Sequence, residues 1–100
     1  MGQEITLRQL QEAIVKIDHK NNSIDKYFYK LSEEVGELAK VIRKNQRLAT
    51  SESIIEEELY DVLYYVVCLA NMYEIDLSEC ARLKEELNAK KYGRNSIFDE

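Results

Sequence analysis

Proline is absent from this 100-residue chain, and glycine occurs only three times. These are the residues that most readily interrupt helices, so their scarcity points to an all-α chain. A basic excess is also missing. The formal charge is −5, which excludes a nucleic-acid backbone as the expected partner, because such binding needs a basic face. No apolar run approaches membrane-spanning length, the longest being Val62 to Ala70, so no membrane partner is expected. The opening Met1-Gly2-Gln3-Glu4-Ile5 has no basic region leading into an apolar stretch and does not read as a secretory signal. Cys68 and Cys80 are neither spaced as C-x-x-C nor accompanied by histidines, and read as small core residues in a reducing compartment. The expectation is one cytoplasmic domain over residues 1–93, followed by a tail, 94–100, whose lack of clear periodicity points to disorder.

Carboxylates set into apolar patterns are what the chain does have. Lys30 to Lys40 reads K-L-S-E-E-V-G-E-L-A-K. Around it Ile24, Phe28, Leu31, Val35, Leu38 and Ile42 recur at threes and fours, the pattern of an amphipathic helix. At about 100° per residue, Glu34 falls just inside the edge of that stripe and Glu37 one step further round. A second set, Glu56, Glu57, Glu58 and Asp61, opens the apolar segment from Ile54 to Tyr73. Residues three apart lie side by side on a helix, so Glu34/Glu37 and Glu58/Asp61 each form a two-pronged oxygen ligand. Antiparallel packing of the two helices would bring four anions together. Such a cluster needs cations, and oxygen-only ligation suits a hard ion, Mg²⁺ or Mn²⁺. Two solvated acidic helix turns are the plainer alternative.

Four helices follow from the capping signals. The first runs from about Thr6 to Asp18, with Thr6 and Gln9 at capping-box spacing and Leu7, Leu10, Ile14 and Ile17 on one face. Ser23 caps the second, which ends near Lys44. Its cations Lys40, Arg43, Lys44 and Arg47 either complement the helix dipole or face a phosphate. After a loop at Asn45 to Ser51, Ser53 and Glu56 repeat the capping pattern. The third helix is apolar on more than one side: Leu59, Val62, Leu63, Val66, Val67 and Ala70 make one face, and Tyr60, Tyr64 and Cys68 another flank. A helix buried all round belongs at a domain centre or an interface. A chain this short cannot easily wrap it, so a homo-oligomer is expected. Asp76 and Glu79 start the fourth helix, which reaches Tyr92 and stops at Gly93. On it Lys84, Asn88 and Lys91 share one face, which by itself reads as solvated. His19, in the first turn, reads as a surface residue.

The acids are not those of a di-iron bundle, which pairs Glu-x-x-His on two helices; here position 37 is Glu, position 61 is Asp, and the sole histidine is elsewhere. Nor do they alternate in the glycine-kinked loop of an EF-hand. Mg²⁺ held by several carboxylates mostly serves phosphate chemistry. E-E-V-G-E at 33–37 followed by E-E-L-Y-D-V-L at 57–63 resembles the E-E-x-x-E…E-x-x-D signature of MazG-like nucleotide pyrophosphohydrolases. The flanks agree: K-L-S before the first motif, L-A-N at 69–71 after the second, and I-D-L at 75–77. Lys84-x-x-x-Asn88-x-x-Lys91-Tyr92 is similar to that family's K-x-x-x-N-x-x-R-[YF] ending, with Lys91 in place of the usual Arg. That change keeps the charge and loses the bidentate fork.

The resemblance, which spans roughly Leu7 to Tyr92, implies a four-helix MazG-like bundle completed by homo-oligomerisation into a dimer or tetramer. It implies Mg²⁺-dependent hydrolysis of nucleoside triphosphates to monophosphates and pyrophosphate, a house-cleaning activity on the nucleotide pool. Carried over by position, Glu34, Glu37, Glu58 and Asp61 hold the metal, Glu33 orients or deprotonates water, and Lys84, Asn88 and Lys91 contact phosphates. The competing expectation is a non-catalytic helical oligomer, a regulatory or scaffold protein that retains the fold.

Overall fold

The structure, a computed structural model, describes residues 2–18, 22–44 and 54–98. These form four helices and, among the described residues, no strand: α1 Leu7–Ile17, α2 Ile24–Arg43, α3 Ile54–Met72 and α4 Leu77–Tyr92. His19, Arg47, the loop at 45–51 and the expected cap Ser53 lie outside the described residues.

Helix ends sit where local chemistry puts them. Thr6 closes a reciprocal capping box on α1: its Oγ1 accepts from the Gln9 N–H at 3.1 Å, and Gln9 Oε1 accepts from the Thr6 N–H at 2.8 Å. Ser23 Oγ accepts from the Lys26 N–H at 3.2 Å to start α2. Asp76 Oδ1 accepts from the N–H groups of Ser78 and Glu79 to start α4, while the Glu79 side chain pairs with Arg82 instead of reaching back to the cap. α4 ends at Gly93, whose φ of 65° is the left-handed conformation that favours glycine.

α2 and α3 form the main helix pair, α1 packs across α3, and α4 packs against α1. The seam of α2 differs from the expected stripe by a rotation of one position. Buried or half-buried residues run Ile24, Tyr27, Leu31, Glu34, Leu38 and Val41, while Phe28, Val35 and Ile42 are exposed. The reason is polar. Tyr27 is completely buried because its hydroxyl donates to Asp18 at the end of α1, and Glu34 faces the acids of α3. The rotation sets Glu34 on the seam itself, not at its margin.

α3 is central along its C-terminal half, where Val67, Cys68 and Ala70 are buried. Its other end leaves Leu59, Tyr60 and Leu63 at the surface. Two polar networks tie α1 to this core. Gln11 Nε2 donates to Asn71 Oδ1 at 3.0 Å and to the Ile75 carbonyl at 2.8 Å, and Gln11 Oε1 accepts from the Leu77 N–H at 2.9 Å. Asn71 Nδ2 returns a bond to the Gln11 carbonyl, so this amide pair fastens α1 to the α3–α4 turn. Arg8 adds an ion pair to Asp76 at 2.6 Å. Beyond Gly93 the chain folds back: Arg94 pairs with the buried Glu85 of α4, whose Oε2 also accepts from the Ile97 N–H at 3.0 Å.

Candidate metal centre

Helix rotation brings Glu34 from α2 opposite Glu58 and Asp61 from α3. One oxygen from each of the three carboxylates lies within 4.8 Å of the others. All three side chains are half-buried. Glu58 and Asp61 are neighbours by their spacing of three on one helix, and Glu34 reaches them through the seam position described above. Burial, followed by the proximity of Glu34, Asp61 and Glu37, raises the Glu58 carboxyl above its ordinary value. Glu58 Oε1 is also buried with no hydrogen-bond partner. An orphaned carboxylate oxygen among other carboxylates costs free energy unless a cation or proton satisfies it. The oxygen-only donor set and this unsatisfied atom fit a hard divalent ion.

The remaining expected residues are distributed differently. Glu37 is not within the three-carboxylate group, although its charge acts on Glu58. Glu33 lies on the outer flank of α2, exposed and paired with Lys30 at 3.5 Å. It lines a cleft of about 550 Å³ with Asn22, Asp25, Lys26, Tyr29 and Lys30. Lys84, Asn88 and Lys91 are on α4, whose main packing partner is α1, whereas the acids are on α2 and α3. Lys91 Nζ stands 5.4 Å from the ring centroid of Tyr92.

A second cleft, about 430 Å³, opens directly on the acids and is lined by Glu34, Tyr60, Asp61, Tyr64 and Tyr65. Its three tyrosines stand edge to face, with centroids 6.3 Å apart for Tyr60–Tyr64 and 5.1 Å for Tyr64–Tyr65. The sequence pattern assigned Tyr60 and Tyr64 to an apolar flank of α3. Their position on either side of Asp61, in L-Y-D-V-L-Y-Y, was the available signal that they border the site.

Residues 22–95 match the family model described as the MazG nucleotide pyrophosphohydrolase domain. The chain belongs to that family. A crystal structure of iMazG from Vibrio DAT 722 is 42% identical, with a TM-score of 0.79 over 90% of this chain and 100% of that one. A second iMazG structure gives 42% identity and a TM-score of 0.75 over 84% of this chain and 98% of that one. The uncharacterized protein YpjD of Bacillus subtilis (strain 168) is 35% identical over 71 aligned residues. That match spans 65% of this chain and 64% of YpjD, less than two thirds of its length. The all-helical architecture expected from the MazG resemblance is therefore the architecture found. The description of that family model names nucleotide pyrophosphohydrolysis as the chemistry of the domain. Among the described residues, no helix is long and apolar enough to cross a membrane.

Proposed function

We propose that this MazG-family chain is a Mg²⁺-dependent nucleoside triphosphate pyrophosphohydrolase, converting a (deoxy)nucleoside triphosphate and water to the monophosphate and pyrophosphate. The observation that carries this reading is the convergence of Glu34, Glu58 and Asp61 around the unsatisfied Glu58 oxygen. In it these three residues, with Glu37 beside them, hold the metal; Mn²⁺ is the expected substitute. When bound, the ion offsets the charge of the triphosphate and stabilises charge that develops at the reacting phosphorus.

The protein's own groups do the rest. Glu33, adjacent to Glu34 in sequence and exposed on the outer flank of α2, is assigned by the family resemblance to orient the attacking water and take its proton on a carboxylate oxygen. Lys30, its ion-pair partner, holds that carboxylate in place. Lys84, Asn88 and Lys91 are assigned to phosphate contact in an assembled homodimer or homotetramer, because they lie on α4, whose main packing partner is α1. A nucleotide-pool role in the cytoplasm fits the acidic, single-domain chain.

Hydrolysis of a nucleotide panel in ¹⁸O-labelled water tests the reaction. The label is expected in the monophosphate, with pyrophosphate released as one piece. Label in pyrophosphate alone, or orthophosphate as first product, contradicts attack at the α-phosphorus. Glu33→Gln should reduce turnover about 10²-fold or more while leaving metal binding nearly intact.

A further inference from the structure

Asp18 ends α1, four residues before the segment matched by the family model begins. Its carboxylate nevertheless joins three helices. Oδ1 accepts from the Tyr27 hydroxyl of α2, Oδ2 accepts from the Tyr64 hydroxyl of α3 at 2.9 Å, and Cys68 Sγ lies 3.8 Å from Oδ2. Tyr27 and Cys68 are buried, and Tyr64 is half-buried. Burial, then the Asp18 carboxylate, holds the Tyr64 hydroxyl far above its ordinary value and the Cys68 thiol up at about 12. Both groups therefore remain protonated and neutral at physiological pH. Tyr64 is thus a committed donor to Asp18, so its hydroxyl is turned inward and its ring edge outward.

That ring is a wall of the cleft shared with Glu34 and Asp61. The cleft is lined by two acids and three tyrosines. Its volume, about 430 Å³, is within the range of small-ligand sites. If metal and phosphates occupy the acids, the tyrosines receive the sugar and base, which their rings contact by stacking or edge packing. We propose that Asp18 is a positioning residue for nucleotide binding: by anchoring the Tyr64 hydroxyl it fixes the aromatic wall that holds the nucleoside part of the substrate. This rests on the nucleotide reading of the metal centre. A wall ordered before the ligand arrives removes an ordering cost from binding.

The test separates the nucleoside end from the phosphate end. KM is measured for dATP, dCTP, dGTP and dTTP with Mg²⁺, beside the Ki of inorganic tripolyphosphate, which has phosphates but no nucleoside. The proteins are the parent, Asp18→Asn, Tyr64→Phe and the double variant. Each single variant should raise the KM of the preferred nucleotide about tenfold, with tripolyphosphate Ki unchanged within about twofold. The double variant should be no worse than the poorer single one, because both act through one bond. KM and Ki rising together, neither moving, or single effects that multiply would each overturn the proposal. Tyr64→Phe deletes one oxygen only, so it decides the matter should Asp18→Asn fail to fold. A parent protein that neither hydrolyses nor binds these nucleotides overturns both this inference and the metal-centre reading. An active parent with an unmoved KM-to-Ki ratio overturns this one alone.

Discussion

Glu58 is the residue at which stability and the proposed function oppose one another most directly. Its Oε1 is buried without a partner, and burial together with Glu34, Asp61 and Glu37 disfavours its charge. Folding without metal therefore has to accommodate a repelling group of acids, and a divalent ion reverses the sign of that interaction. Glu58→Gln keeps the shape and removes the charge. The metal-free variant should melt at a higher temperature than the parent, and added Mg²⁺, which should stabilise the parent by raising its Tm, should leave the variant unmoved. Calorimetry with and without Mg²⁺ checks both statements; a Tm increase with Mg²⁺ of equal size in the two proteins would remove Glu58 from the ligand set. Sequence pattern was enough to single out Glu58 and Asp61, since both lie on one helix and their spacing is covalent. It set Glu34 just inside the edge of the α2 stripe and not on the seam, because the side of α2 that faces α3 is a property of the pair.

Among the elements, α4 joins a charged clasp with its own tail to apolar contacts through Leu77 and Ala89. Leu83 and Leu87 are exposed, whereas Glu85 is buried against Arg94 and the Ile97 N–H. The Glu85 carboxyl is lowered chiefly by Arg94, then by the Ile97 N–H; that of Asp76 is lowered chiefly by Arg8, then by the N–H of Glu79. A lowered folded-state value means the folded protein binds protons less readily than the unfolded chain. The stabilisation is then complete above the ordinary carboxylate range and is lost as pH falls through the lowered values. Thermal melts followed by helical circular dichroism should show a falling Tm below about pH 4, and Glu85→Gln should lose less Tm over that interval than the parent. An identical pH dependence in the two proteins would mean that the Arg94 clasp contributes nothing. The clasp was not legible in the sequence: Glu85 and Arg94 are nine residues apart and meet only because Gly93 turns the chain back along α4. The helix ends were legible, because Thr6, Ser23, Asp76 and Gly93 each act within a few residues of themselves.

On the scale of the whole molecule, the α1–α3–α2 packing leaves a second apolar stripe uncovered. Phe28, Val35 and Ile42, seven residues apart on α2, are 60%, 48% and 55% exposed, and Leu59 and Leu63 of α3 add to the surface apolar groups. Apolar rows of this regularity on a small domain mark contact surfaces. A homodimer or homotetramer is the expected form at micromolar concentration in sedimentation velocity. Ile42→Glu, far from the carboxylates along the helix, should weaken that assembly at least about tenfold and lower activity in parallel, because the α4 cations are assigned to the assembled site. A monomeric, fully active parent would contradict this. Tyr64, which the sequence pattern offers as an interface flank, is unsuited to such a test, since its hydroxyl is bound to Asp18 within the same chain.

The chain by itself determined that the protein is helical, where α1, α2 and α4 begin, and that Glu58 and Asp61 share one helix face. Each of these depends on composition, on capping groups within one turn, or on i, i+3 spacing along one helix. Tertiary packing alone decided that α2 turns Tyr27, Glu34 and Val41 inward, and that Asp18 gathers tyrosines from two other helices. It also decided that α4 leans on α1. The physical reason is the same in each case: a helix with two apolar stripes has two nearly equivalent ways to pack, and the choice between them is made by polar groups such as Asp18 that find their partners only after distant helices meet.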